Sequence, residues 1–242
     1  MKKLILALAV ISTSFAFAQT TKTTTTKTKA SSDSKTTTSN SGIRYGIKAG
    51  MNVSSLSNNN AWEDQKSRVD FNAGVFATIP IATSFSIQPE ILYSGLGAQQ
   101  TYKESFGNTT NGYKSKDKFK TNLSYLAVPV MFQYNFVPNF YLEAGPEFGF
   151  FLGGKNKGDY EEYNYLGGVE TKTTESYSDK IKSSDIHTFN LGIGIGAGYY
   201  FTNNIGITAR YVAGLTNIEK NRPSGSDAIR NNVFQVGLAY KF

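Results

Sequence analysis

FYLEAGPEFGFF, residues 140–151, alternates between two kinds of side chain. Every second residue is apolar, namely Phe140, Leu142, Ala144, Pro146, Phe148 and Phe150. The residues between them are mostly small or charged, namely Tyr141, Glu143, Gly145, Glu147 and Gly149. Successive side chains of a β-strand point to opposite faces, so this spacing predicts a strand with one apolar and one polar face.

The same alternation recurs along the chain and predicts an all-β fold. It defines eight segments: 43–53, 68–79, 85–96, 121–135, 140–151, 185–201, 205–214 and 232–242. The connections at 80–84, 136–139 and 202–204 are short, whereas those at 54–67, 97–120, 152–184 and 215–231 are long and polar. An even number of strands allows the first and last to pair antiparallel, which predicts a closed barrel.

The apolar face is expected on the outside of this barrel. Eight strands enclose a space only wide enough to be filled by side chains, and the apolar face is too bulky for it. The sequence therefore predicts an eight-stranded antiparallel transmembrane β-barrel in the outer membrane, with short periplasmic turns and long extracellular loops. A soluble secreted barrel is the structural alternative.

The aromatic residues of the apolar face support the membrane interpretation, because they fall at two heights. One group lies near the short turns and the other near the long loops, as in the aromatic girdles of membrane barrels. The groups are Phe85, Tyr134, Phe140, Tyr199, Tyr240 and Phe242, and Phe71, Tyr93, Phe150, Phe189 and Tyr211.

The segments before the barrel have different compositions. Residues 1–18 resemble a signal peptide, with Lys2 and Lys3, an apolar run and an Ala-Phe-Ala cleavage site that ends at Ala18. Residues 19–41 are almost entirely Thr, Lys and Ser, which predicts a disordered periplasmic linker. The barrel domain is then 42–242.

The charge and cysteine content exclude several classes of protein. Six lysines and one aspartate precede Ser41, so the formal net charge of +7 falls to about +2 in the remaining chain. This balance argues against nucleic-acid binding. The absence of cysteine excludes disulfides, thiolate zinc sites and a lipoprotein anchor.

Strand parity places a set of charged residues inside the barrel. Desolvated charges require partners, so we expect a structural charge network of Lys48, Glu90, Glu143, Glu147 and Arg210, centred on Arg210, with Glu90 and Glu143 as its main partners. Glu143 and Glu147 are roughly 13 Å apart along one strand, too far for a glycosidase pair. No catalytic, cofactor-binding or metal site is predicted.

Three functional hypotheses remain open at this stage. The first is a non-enzymatic barrel with a structural or recognition role, whose long loops carry Tyr160, Tyr163, Tyr165 and Tyr177. The second is a narrow porin for small solutes. The third is a lipid A-modifying enzyme, which would have to use His187, the only histidine, near Ser183, Ser184 and Asp185.

The chain also resembles the PorT-like outer-membrane β-barrel proteins. The matching stretches are GIKAGMN at 46–52, SIQPEILY at 86–93, YLAVPV at 125–130, YLEAGP at 141–146, ARY at 209–211 and GLTNI at 214–218. Ala127 departs from the family, whose members often carry an acidic residue there. The resemblance implies contact with outer-membrane lipids and lipopolysaccharide. It also implies that the terminal Phe242 is an assembly signal for the barrel-assembly machinery.

Overall fold

The computed structural model describes residues 42–57, 66–220 and 228–242. These residues form nine strands: β1 (Arg44–Leu56), β2 (Lys66–Ala82), β3 (Phe85–Gly107), β4 (Asn111–Val137), β5 (Phe140–Leu166), β6 (Val169–Ile181), β7 (Phe189–Tyr200), β8 (Ile205–Gly214) and β9 (Asn231–Lys241). The predicted signal peptide, its cleavage site at Ala18 and the linker lie outside the described residues. In the described ranges, no helix is long and apolar enough to cross a membrane.

Eight of the strands close into a ring, as the alternation predicts. The antiparallel order runs β4-β3-β2-β1-β9-β8-β7-β5, and an additional pairing of β4 with β5 completes the circle. The first and last strands pair from Gly46↔Lys241 to Leu56↔Asn231. The eight-stranded antiparallel barrel is therefore confirmed.

The prediction of a long loop is wrong for two segments, which are mostly paired strands. Residues 97–120 continue β3 and β4 as a paired hairpin that ends at Gly107↔Gly112. Residues 152–184 contain the outer half of β5 and the whole of β6, which pair from Gly154↔Ile181 to Leu166↔Val169. The ninth strand, β6, pairs with β5 and lies outside the ring.

The apolar face points away from the barrel interior. Ile47, Met51, Phe71, Ile195 and Leu238 are each at least half exposed, while the polar residues that alternate with them are buried. Aromatic side chains contact one another at both of the heights predicted for the girdles. Phe85 contacts Tyr134 near the short turns, and Phe71 stacks on Tyr93 at the opposite end. This arrangement is the reverse of a soluble protein and matches a lipid-facing surface.

The lumen has three layers, of which only the middle one is the charged interior that strand parity predicts. At the turn end lies an aromatic layer of Phe76, Tyr141 and Tyr200 with Ala239. The middle layer is polar and charged. At the opposite end, an apolar plug fills the barrel: Leu96, Leu123, Tyr125, Phe151, Val212, Ile218 and Val233.

Candidate functional site

Arg210 on β8 is the centre of the middle layer. Its Nη2 and Nη1 atoms donate to the two carboxylate oxygens of Glu90, at 2.7 and 3.1 Å, and its Nε donates to Glu143 Oε1 at 2.7 Å. Lys48 Nζ contacts Glu90 Oε1 at 2.7 Å. Two cations and two carboxylates thus neutralise each other where water has little access, as buried charges require.

Register explains how strands that are not adjacent supply these groups. Arg210 pairs with Gly196 of β7, and Gly196 pairs with Glu143 of β5, so the three residues form one row. A Cβ at Gly196 would lie 3.0 Å from Glu143 Oε1 and 2.6 Å from Ala209 O. Glycine therefore leaves the space through which the Arg210 side chain reaches Glu143.

Two glutamines that do not belong to the predicted network extend it. Gln88 Nε2 donates to Glu90 Oε1 at 2.8 Å, and Gln133 Nε2 donates to Glu143 Oε2 at 3.1 Å. Thr78 Oγ1 in turn donates to Gln88 Oε1. Both glutamines share the inward strand parity of the predicted charges, and this parity is the sequence signal that could have found them.

Glu147 is the one predicted member that stands apart from the ion pairs. It pairs in register with Gly192, four residues along β5 from the Arg210 row, and its Oε2 has no hydrogen-bond partner within the described residues. It lines a cavity of about 30 Å³ beneath the apolar plug, together with Tyr125, Asn190 and Asn231. Such a volume is sufficient for about one or two water molecules.

Within the described residues, His187 does not form a Ser/His catalytic arrangement with its neighbours. His187 is exposed, and its backbone N donates to Ile218 O at 2.8 Å. Ser184 Oγ donates to Asp185 Oδ1, but no hydrogen bond links the imidazole to either residue in the described part of the chain. Nor do the described ranges contain a group of three or more His, Asp or Glu side chains that could hold a metal ion.

The second candidate region is the continuation of β3, β4, β5 and β6 beyond the barrel, which we name the extended sheet (residues 98–107, 111–123, 153–166 and 169–181). Its β3–β4 hairpin continues about 35 Å beyond Gly97, at the usual rise per residue. A bulge where Ser124 pairs with Gly153 and Tyr125 with Phe151 shifts the parity of β5, so odd-numbered residues of β5 continue the outward face.

The two faces of the extended sheet carry opposite charge. Register places nine lysines and three acidic residues on the outward face: Lys103, Lys114, Lys116, Lys118, Lys120, Lys155, Lys157, Lys172 and Lys180, with Asp159, Glu161 and Glu170. The inward face holds five acidic residues and no basic ones: Glu104, Asp117, Glu162, Glu175 and Asp179.

Tyrosines contribute to both faces. Outward, Lys114 Nζ lies 5.5 Å from the Tyr165 ring centre and Lys172 Nζ 5.1 Å from that of Tyr163. Inward, the Tyr177 hydroxyl donates to Asp117 Oδ1 at 3.0 Å. Partial burial, together with this hydrogen bond, raises the pKa of Tyr177 to about 12.

This shift predicts a pH dependence. The pKa is higher in the folded protein than the ordinary value of 10.0, so the stabilisation by Tyr177 is complete below pH 10 and is lost as the pH rises towards 12. In a tyrosinate absorbance titration, we expect Tyr177→Phe to remove one late-titrating tyrosine. An unchanged absorbance curve between pH 11 and 12 would contradict the Tyr177–Asp117 contact.

Comparison with known proteins agrees with the barrel and its outward apolar face. The family described as "Outer membrane protein beta-barrel domain" matches residues 14–220. The chain belongs to this family. It is therefore a cell outer-membrane protein, and the lipid-facing assignment of its apolar surface follows.

Several solved outer-membrane barrels are similar to the chain at low sequence identity. Ail, the attachment invasion locus protein of Yersinia pestis, was solved with the heparin analogue sucrose octasulfate. It is 16% identical, with 83% of this chain and 99% of Ail covered and a TM-score of 0.41. Neisserial surface protein A is 13% identical, with coverages of 83% and 99% and a TM-score of 0.40. OprG from Pseudomonas aeruginosa is 14% identical, with coverages of 83% and 94% and a TM-score of 0.32. No curated protein shows significant sequence similarity to the chain.

Proposed function

We propose that this outer-membrane barrel is a non-enzymatic, non-conducting protein that uses its extended sheet for recognition outside the cell. The observation that carries the proposal is the length of β4 and β5, 27 residues each. A strand needs only about 9–11 residues to cross the membrane. More than half of each strand is therefore available to hold a rigid surface beyond the lipid.

The composition of that surface supports recognition rather than a purely structural role. Tyrosine is enriched at binding surfaces, whose rims are polar, and the outward face presents Tyr163 and Tyr165 with lysines around them. Around them, Lys103, Lys114, Lys116 and Glu161 line a groove of about 600 Å³. A groove of this size can accept part of a peptide or a short saccharide.

The experiment compares the full barrel with a trimmed barrel. Deleting residues 100–119 and 156–179, and closing each hairpin with Asn-Gly, removes most of the extended sheet and leaves the charge network in place. We expect the full protein to bind defined members of a glycan or peptide array and the trimmed barrel to lose that binding.

Tyr163→Ser with Tyr165→Ser is the matched point variant, and it should reduce binding about tenfold or more, because two aromatic contacts are lost. Tyr160→Ser on the inward face is the control. Binding that survives trimming, or an absence of binding by the full protein, would contradict recognition by this sheet.

A narrow porin is the competing function, and conductance in planar bilayers distinguishes it. The Arg210 network and the apolar plug fill successive layers of the lumen, so we expect no discrete, stable channel steps from the wild-type protein. Reproducible ion-selective steps would favour the porin.

The enzyme hypothesis predicts a change in lipid A mass that depends on His187, whereas we expect no change in lipid A mass.

We place the short turns in the periplasm and the extended sheet outside the cell. We also propose that the protein is PorT-like, that residues 1–18 are removed after Ala18, and that the barrel-assembly machinery recognises Phe242. The exposed, outward-facing side chain of Phe242 next to Tyr240 supports the last inference.

A further inference from the structure

The boundary between lipid-facing and polar surface is sharp on the outward side of β5. Leu152 is 53% exposed and belongs to the apolar band. Lys155, on the same face after the bulge, is three residues further along. At about 3.4 Å per residue and a tilt near 40°, Lys155 lies about 8 Å above Leu152. The head-group layer of a bilayer occupies this height.

A groove of about 610 Å³ lies at this boundary, on the outer surface of the barrel wall. Its floor includes Tyr93 and Leu152, and its polar side carries Lys155, Lys157 and Lys180. Its lining thus changes from apolar to cationic over the height of a lipid head group. Lysine stems can lie along the apolar part while their ammonium groups remain among polar atoms.

The lysines of this groove lie opposite other lysines on the neighbouring strands. Lys155 pairs in register with Lys180, and Lys157 pairs with Lys120 of β4. Like charges directly opposite on adjacent strands are destabilising. Within the described residues, none of these four lysines forms an ion pair with a carboxylate. By contrast, Lys172 nearer the tip contacts Glu161 at 3.1 Å.

We propose that this groove binds the anionic phosphate head group of an outer-membrane lipid, with Lys155, Lys157 and Lys180 as its ligands. A phosphate between opposed lysines offsets their repulsion, and the lipid's acyl chains continue down the apolar band past Leu152 and Tyr93. The inference rests on the membrane location of the barrel and is independent of recognition by the tip of the extended sheet.

Electron paramagnetic resonance of spin-labelled lipids tests the site in the full barrel reconstituted in phosphatidylcholine vesicles. The measured quantity is the preference of the protein-restricted lipid shell for labelled phosphatidic acid over labelled phosphatidylcholine. We expect a preference of about fivefold or more for the wild type, and a value near one after Lys155→Gln, Lys157→Gln and Lys180→Gln together. High salt should also lower the wild-type preference.

The control variant changes Lys114, Lys116 and Lys172 to Gln, which alters the net charge equally on the same face but nearer the tip. It should keep the wild-type preference. If the triple variant assembles poorly, Lys180→Gln alone takes its place, because Lys180 lies on β6 outside the barrel ring. This single variant should lose part of the preference for phosphatidic acid. The proposal is overturned if the groove variants retain the wild-type preference, or if the control variant loses as much as the triple variant.

Discussion

Arg210→Met is expected to lower the free energy of unfolding by about 3–5 kcal/mol, the usual cost of removing one partner from a buried ion network. The substitution leaves Glu90 and Glu143 with fewer donors in a layer where Arg210 is only 3% exposed. Lys48 still neutralises Glu90, whereas Glu143 retains, among the described residues, only the hydrogen bond from the amide of Gln133. The loss can be measured by urea unfolding in detergent micelles or lipid.

Double-mutant cycles separate the two contacts. Arg210→Met combined with Glu143→Gln should recover a large part of the loss, because the stranded charge is then removed. The cycle with Glu90→Gln should show coupling as well, although Lys48 then loses its partner. Coupling near zero in both cycles would show that these charges do not stabilise the barrel.

Arg68→Met is the matched control for the removal of an arginine from the lumen. Arg68 contacts Asp70 at 2.7 Å, but both side chains retain access to water, with 20% and 17% exposed. We therefore expect a clearly smaller loss than for Arg210→Met. Equal losses would mean that the position of Arg210 in the buried layer has no special importance.

The barrel strands could be predicted because membrane and lumen impose opposite requirements on alternate residues. In β7, for example, Ile193 and Ile195 face outward while Gly192, Gly194 and Gly196 face the lumen. The parity of Glu90, Glu143 and Arg210 followed from the same alternation. Whether a residue number is odd or even decides, however, only which face of the sheet its side chain lies on. The height of the side chain along the barrel depends on the register between strands. Glu147 shares the face of Glu143 but lies four residues away, which explains why it stands apart from the ion pairs of Arg210.

The extended sheet could not be predicted from hydrophobic alternation, because water reaches both of its faces. A weaker signal was present in KSKDKFK, residues 114–120, where every second residue is lysine. Charge there alternates with the period of a strand, and the lysines all lie on the outward face. The opposite charge of the two faces depends on four strands in register and on the bulge near Leu152, neither of which a single segment reveals.

The start of the extended sheet depends on Gly97. Its φ of 146° is a conformation that other residues rarely adopt, and a Cβ there would lie 1.9 Å from Thr121 O on β4. Ser54 Oγ also binds both the N and the O of Gly97, at 2.9 Å each. These contacts hold β3 close to β1 and β4 where it leaves the barrel, so a side chain at this position must displace backbone.

Gly97→Ala is therefore expected to lower the free energy of unfolding by at least about 1–3 kcal/mol, the usual cost of such a backbone conformation in a residue other than glycine. The overlap with Thr121 adds to this loss. Gly153→Ala on β5, two residues from the row of Gly97, is the control, because a Cβ there meets nothing within 4 Å. Urea unfolding of both variants in detergent should show a loss for Gly97→Ala and little change for Gly153→Ala. Hydrogen exchange should locate the Gly97→Ala effect in β3 and β4 beyond the barrel. Similar stability of the two variants would show that the conformation of Gly97 is not required where the extended sheet leaves the barrel.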